Sequence, residues 1–471
     1  MTSYLSRLSP IPGFPEYTGP HKVGTIDVEI PISDLDSPAQ TPSNAENIPT
    51  IQYRIFYPCD TDLKHKGKSV NWIPTPQRDY ISAYSRFLGA GSTLAEVISY
   101  FPRLLHYVTI PVRKNAPLLK PTTSNNRWPV MIFSHGLGGS RNAYSHIVGS
   151  VASHGMIVIA SEHRDGSTPI SYIREPPSDS SSMEKEKVSQ KHAKKTVDYV
   201  KLSHTPSPEV EEGRNEQLKI RLWEMGLIHD SLLKLDEGKK ITNLNTSSTS
   251  LSMLKDQMNV HEPGKITFAG HSFGAATVVQ FIKSVFYTPE SSSAPKSYKP
   301  LYSTFPKSPI CSQITPNNPI VLLDYFGILF PWITKKVFAA EEPERIMKLN
   351  VRAVMQLLRE RGIEVSKTRK KDLELQGDEA ETNDDVKIFG KDGGVRGWNW
   401  LSISDGAGGV AGVDEGEESE IADKKLDEKQ VEVGKGGNDE EIQKPINAEL
   451  AEVVLENEVR SSAATGAGSK V

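Results

Sequence analysis

The stretch that most restricts the fold is Lys265-Ile266-Thr267-Phe268-Ala269-Gly270-His271-Ser272-Phe273-Gly274-Ala275-Ala276. A short apolar run closes on Gly-X-Ser-X-Gly, and small residues follow. Strand, sharp turn and helix in that order are the layout of a nucleophile elbow. The turn takes glycines because a side chain at either flank would clash in so tight a bend. The bend lifts the Ser272 hydroxyl clear of the sheet. It also sets the Phe273 amide at a helix N-terminus, where it can face a developing oxyanion. The bare five-residue pattern is common by chance. The strand before it, and Ala275-Ala276-Thr277-Val278-Val279 after it, give it weight.

A second motif lies upstream. Trp128-Pro129-Val130-Met131-Ile132-Phe133 reads as a buried strand and runs straight into Ser134-His135-Gly136-Leu137-Gly138-Gly139-Ser140. A strand ending in His-Gly-X-Gly-Gly is the second oxyanion element of many α/β-hydrolases. Its glycines let backbone approach substrate closely, so the Leu137 amide can meet the charge. A helix-like spacing from Tyr144 to His154 leads to a further strand, Gly155-Met156-Ile157-Val158-Ile159-Ala160. That is a βαβ unit and hence a parallel sheet. Alternation at Val23–Ile30 and the run Ile51–Pro58 add an antiparallel start. The expected fold is α/β, an α/β-hydrolase with a mostly parallel central sheet flanked by helices.

Two other helices stand out. Gln217–Leu233 carries an apolar stripe at 218, 222, 225, 228 and 232. Residues 94, 97, 98, 101, 104 and 105 follow helical spacing with a kink at Pro102. This second helix reads either as a surface helix packed on the core or as a lipid-facing rim over the site.

Composition narrows the function classes. The chain has 471 residues and a formal net charge of -4, which gives no nucleic-acid footprint. Its two cysteines, Cys59 and Cys311, lie far apart and show no metal-type spacing, so a reducing compartment is expected. The N-terminus has no apolar signal core, and no apolar run reaches the ~20 residues of a bilayer span. A cytoplasmic enzyme without metal or cofactor is the expectation. Residues 1–50 read as an N-terminal arm with an outer strand, 51–366 as the hydrolase domain, and 367–471 as an acidic, glycine-rich disordered tail.

An acid follows the serine in the order such triads take. Pro319-Ile320-Val321-Leu322-Leu323-Asp324 is a strand ending in a carboxylate, at the edge where parallel sheets hold ligand groups. The base is missing from its place. All 12 histidines stand at or before residue 271. Tyr325–Trp332 follows Asp324 at once, and a helix with Ile346, Leu349, Val354, Leu357 and Leu358 on one face ends at Gly362.

Taken together these stretches resemble the platelet-activating-factor acetylhydrolases of the plasma and type II kind. The residues that carry the likeness are Phe133–Gly138, Ala152–Gly155, Glu162–Asp165, Arg214–Gln217 and Gly270–Val278, in the family's order, between about residues 20 and 365. The resemblance implies a calcium-independent serine esterase that removes short or oxidised sn-2 acyl groups from phospholipids. It matches Ser272 to the nucleophile, Leu137 and Phe273 to the oxyanion amides, and Asp324 to the triad acid. It implies a phospholipid substrate and peripheral membrane contact. It also exposes a departure. The family places a long segment and a histidine loop after the acid strand, and here that segment is absent. Asp324 is therefore either the strand acid, which Val321-Leu322-Leu323 favours, or the aspartate of the post-histidine loop. The sheet is expected to lack its last strands and to leave one edge open. A catalytically impaired hydrolase fold that binds lipid or a partner, and a general carboxylesterase, are the alternatives.

Overall fold

The computed structural model describes residues 14–60, 69–100, 103–176, 194–203, 205–248, 251–288, 300–323, 342–369 and 384. The strands are β1 (Lys22–Pro31), β2 (Thr50–Cys59), β3 (Val70–Asn71), β4 (Thr109–Ile110), β5 (Arg113–Lys114), β6 (Val130–Ser134), β7 (Ile157–Glu162), β8 (Ile170–Arg174), β9 (Lys194–Asp198), β10 (Thr267–His271) and β11 (Ile320–Leu323). The helices are α1 (Gln77–Phe87), α2 (Ser92–Tyr100), α3 (Arg103–His106), α4 (Ser145–Ser153), α5 (Pro208–Asp236), α6 (Phe273–Phe286), α7 (Pro309–Gln313) and α8 (Glu342–Glu360).

Seven strands form one sheet in the order β11-β10-β6-β7-β2-β1-β5. β11, β10, β6 and β7 run parallel, and β2 turns the sheet antiparallel at β7. β1 pairs with β2 along its full length, from Lys22 opposite Cys59 to Pro31 opposite Thr50. Period-two alternation feeds both faces. Val130, Ile132, Ile157 and Ile159 join a core under α5 and α6. Met131, Phe133, Val158 and Ala160 join the other, under α4 and α8. Helices on both faces of a mostly parallel sheet make this an α/β-hydrolase fold.

The register positions the site. Gly270 lies opposite Ser134, Phe133 opposite Ala160, and His271 opposite Leu323. The four parallel strands thus end within a residue or so of one another, and the loop after β6 is set beside the turn after β10.

Among the described residues the sheet ends at β11, whose Ile320 and Leu322 are 38% and 50% exposed. The long helix is longer than its stripe suggested. α5 starts at Pro208, with Ser207 Oγ accepting the Val210 amide as an N-cap, and it is buried almost all round from Ile220 to Leu232.

The helix expected at 94–105 with a kink at Pro102 is present as two pieces, α2 and α3, on either side of residues 101 and 102. α2 spans only Ser92–Tyr100 and turns Ala95 and Ser99 inward against α1, while Leu94 and Val97 are 56% and 47% exposed. Small residues let two short helices approach closely, and Ile98 and Leu105 pack against the core beside them. Residues 101 and 102 lie outside the described residues. The β8–β9 hairpin was not foreseen.

Candidate active site

Ser272 stands between β10 and α6 with φ 51 and ψ -121. A non-glycine residue holds such a backbone only where its surroundings over-determine it. Here they do. The Ser272 amide donates to the Leu323 carbonyl at 3.0 Å, and its own carbonyl accepts the Ala275 and Ala276 amides. The side chain is neither buried nor fully exposed.

The glycines around it are explained by close approach. A Cβ on Gly270 would lie 2.3 Å from the Gly274 carbonyl oxygen, and one on Gly274 would lie 2.1 Å from the Ser134 carbonyl oxygen. The second contact is the seam between the elbow and the loop after β6, which the structure brings together.

That loop has a simple hydrogen-bond account. Gly136 N–H donates to the Tyr144 hydroxyl at 3.2 Å. Gly138 N–H donates to the Ser167 carbonyl and Gly139 N–H to the Gly136 carbonyl. Between them, the Leu137 amide donates to no group among the described residues. Phe273 is the first residue of α6, where backbone amides have no partner within the helix. Two unspent amides therefore belong to the segments flanking Ser272, which is the requirement for receiving an oxyanion.

His135 sets the plane of the 136–137 peptide. Its Nε2 accepts the His163 amide at 3.2 Å, so the proton sits on Nδ1, which donates to the Gly136 carbonyl at 2.9 Å. Burial, then the nearby Arg221 charge, push this imidazole down to about 4, so it stays neutral and keeps that tautomer at neutral pH.

His163, the residue nearest to a stand-in for the missing base, is fully buried. Its Nδ1 meets Glu224 Oε2 at 2.7 Å, and its Nε2 meets Ser134 Oγ at 2.8 Å and Ser161 Oγ at 3.0 Å. Burial holds the imidazole well below its ordinary range and pushes the Glu224 carboxyl up to about 8. Both ring nitrogens are committed beneath the sheet edge. His271 points back into the fold, with its Nδ1 2.7 Å from the Tyr144 hydroxyl. Asp324 lies outside the described residues. Among the described residues no group of three His, Cys, Asp or Glu could hold a metal ion, and no helix is long and apolar enough to cross a membrane.

Sequence reasoning missed the residues underneath. Arg221, Glu224, Tyr144 and Ser167 all serve the loop after β6. The available signal was two charged residues, Arg221 and Glu224, inside an otherwise apolar stretch of one helix.

With the geometry in place, the comparisons decide the family. The profile of platelet-activating factor acetylhydrolase, isoform II, matches residues 8–293. The chain belongs to this family. It is 33% identical over 227 residues to the platelet-activating factor acetylhydrolase of Canis lupus familiaris, covering 48% of this chain and 45% of that protein. Against that of Bos taurus the figures are 34%, 48% and 45%. A putative phospholipase A2 of Schizosaccharomyces pombe is 28% identical over 276 residues, 56% of this chain and 57% of that one. A ferulic acid esterase structure from Streptomyces cinnamoneus is matched with a TM-score of 0.38 at 13% identity, over 74% of this chain and 90% of that one. The chain spans about half the length of the curated relatives it matches. Family membership supports an ester hydrolase.

Proposed function

We propose that this chain is a serine esterase acting on the sn-2 ester of phospholipids with short acyl groups. The carrying observation is the pairing of Ser272, at positive φ, with a neighbouring glycine loop whose Leu137 amide donates to no group among the described residues. The relatives' names supply the substrate class.

In this reading Ser272 Oγ attacks the ester carbonyl carbon, and its proton passes to a base. The Leu137 and Phe273 amides hold the oxyanion. Collapse expels the glycerol oxygen with a proton, and water then splits the acyl-serine, returning the proton to Ser272. Asp324 is assigned as the acid that would orient a histidine base. A fluorophosphonate probe tests the nucleophile. It should label the wild type and not Ser272→Ala, and equal labelling of both would refute the assignment.

A second reading has its own support, because no histidine follows residue 271. A triad stripped of its base retains only about 10³–10⁴-fold catalysis over water, the share supplied by the oxyanion hole and binding. The chain would then act as a lipid- or partner-binding hydrolase fold. Hydrolysis of a short-chain phospholipid that disappears in Ser272→Ala would exclude this. A strong preference for soluble aryl esters over phospholipid would instead mark a general carboxylesterase.

A further inference from the structure

We propose that Arg221 is a positioning residue that fixes the Leu137 amide and ties it to the Ser272 helix; this rests on the esterase reading. Arg221 lies on α5 and is fully buried. Its guanidinium is spent in three directions. Nε pairs with Asp165 Oδ2 at 2.6 Å. Nη1 donates to the His135 carbonyl at 2.7 Å and reaches Ser134 Oγ and Thr277 Oγ1 at 3.4 Å each. Nη2 donates to Ser167 Oγ.

Each direction holds a different part of the site. The His135 carbonyl belongs to the peptide whose amide, Gly136 N–H, is held by Tyr144, so that peptide is pinned at both ends. Ser167 passes the hold onward, since its carbonyl accepts Gly138 N–H at 2.8 Å. The peptides on either side of the Leu137 amide are thus both fixed from Arg221. Thr277 lies on α6, and its hydroxyl donates to the Phe273 carbonyl at 2.8 Å. The guanidinium also stacks over the Phe273 ring, 4.6 Å from its centroid. One side chain therefore spans both oxyanion elements. Arginine suits the task because its planar fork offers fixed donors in several directions, which an ammonium cannot reproduce.

The test compares Arg221→Lys, Ser167→Ala and Tyr53→Phe in the full chain. Tyr53→Phe removes another buried hydrogen bond to α5, the one to Ser231 Oγ at 3.0 Å, far from the loop in sequence. Two readouts are taken: kcat and KM on a soluble short-chain aryl ester, and hydrogen–deuterium exchange of the peptide covering residues 134–140. Arg221→Lys should lower kcat about 10- to 100-fold with KM held within about threefold. Ser167→Ala should lower it about 3- to 10-fold on the same logic. Both should speed exchange at 134–140, and Tyr53→Phe should do neither. Wild-type kcat and exchange in both site variants, or equal effects from Tyr53→Phe, would overturn the proposal. If Arg221→Lys fails to fold, Ser167→Ala decides alone. Turnover that survives Ser272→Ala would sink the esterase reading, while exchange at 134–140 would still judge the role of Arg221.

Discussion

Gly274→Ala is the sharpest perturbation of the seam between the two oxyanion elements. In an exposed helix this substitution would stabilise, because alanine beats glycine by about 1 kcal/mol of helix propensity. Here the new Cβ would sit 2.1 Å from the Ser134 carbonyl oxygen and 2.8 Å from that of His135. Carbon and carbonyl oxygen approach to about 3.3 Å at closest, so the backbone must part by about 1.2 Å. Neither neighbour is a flexible side-chain end, and overpacking of this kind costs about 1–3 kcal/mol. The propensity gain offsets part of that, leaving a loss of up to about 2 kcal/mol, or a fall in Tm of up to about 3 °C at this domain size. Activity should suffer more than stability, because about 1 Å of misplacement near the chemistry costs on the order of 10²-fold. The comparator is Gly213→Ala in α5, whose Cβ would meet Leu202 Cδ1 at 2.8 Å, the end of a side chain that can turn aside. It should hold or raise Tm and leave turnover unchanged. The assays are thermal unfolding and kcat on a soluble aryl ester. If Gly274→Ala matches the wild type in both, or the two glycines behave alike, the seam does not position the Leu137 amide.

Acid should weaken the fold well before its carboxylates titrate out. Burial pushes His135 and His154 down to about 4 and His229 to about 3. Their folded values lie below the unfolded ~6.5, so their contribution is complete above pH 6.5 and falls at about 1.4 kcal/mol per unit below it. From pH 7 to 5 the three lose on the order of 5 kcal/mol together, by the same linkage. Glu224, raised to about 8, acts in the opposite sense and offsets part of that loss, while its partner His163, pushed down by burial like the other three, adds to it, so the fold loses stability on balance. Urea midpoints at pH 7 and pH 5 measure this, and an unchanged midpoint would contradict it. Phe281→Ala should cost about 3–5 kcal/mol, because its ring is fully buried and packs 5.7 Å from both Phe268 and Tyr302. Denaturant titration with an unchanged slope would report it, and a loss under about 1 kcal/mol would mean that the site collapses around the gap.

The parts of the fold that were legible share a property: their signal is local. Short continuous apolar runs marked β6, β7 and β10, and the glycines marked the turns after β6 and β10. At α2 helical spacing left the covered face open, and it is Ala95 and Ser99 that take the inner side against α1 while Leu94 and Val97 face outward. Which face of a short helix is covered depends on its neighbour, not on its own spacing. The support of the site was illegible for the same reason. Arg221 reaches a carbonyl 86 residues away, and Tyr144 reaches His271 across 127. Nothing within a window of α5 says that its charged residues face inward to a loop after another strand.

That division bears on the missing base. The described hydrogen bonds that hold the loop 134–139 come from residues before 278, while the elbow is also braced by β11, through the parallel β10–β11 ladder and Ser272 N–H to the Leu323 carbonyl. The proposed cradle for the oxyanion is therefore held on its loop side by residues upstream of Asp324. In the proposed triad the acid would follow β11, which the parallel β10–β11 ladder, from Phe268 opposite Ile320 to His271 opposite Leu323, ties to the elbow. Loss of the histidine segment would remove proton transfer and leave the cradle as it is. A chain of this design can keep a reactive-looking serine long after turnover has gone, and so labelling of Ser272 and hydrolysis of phospholipid are two questions and not one.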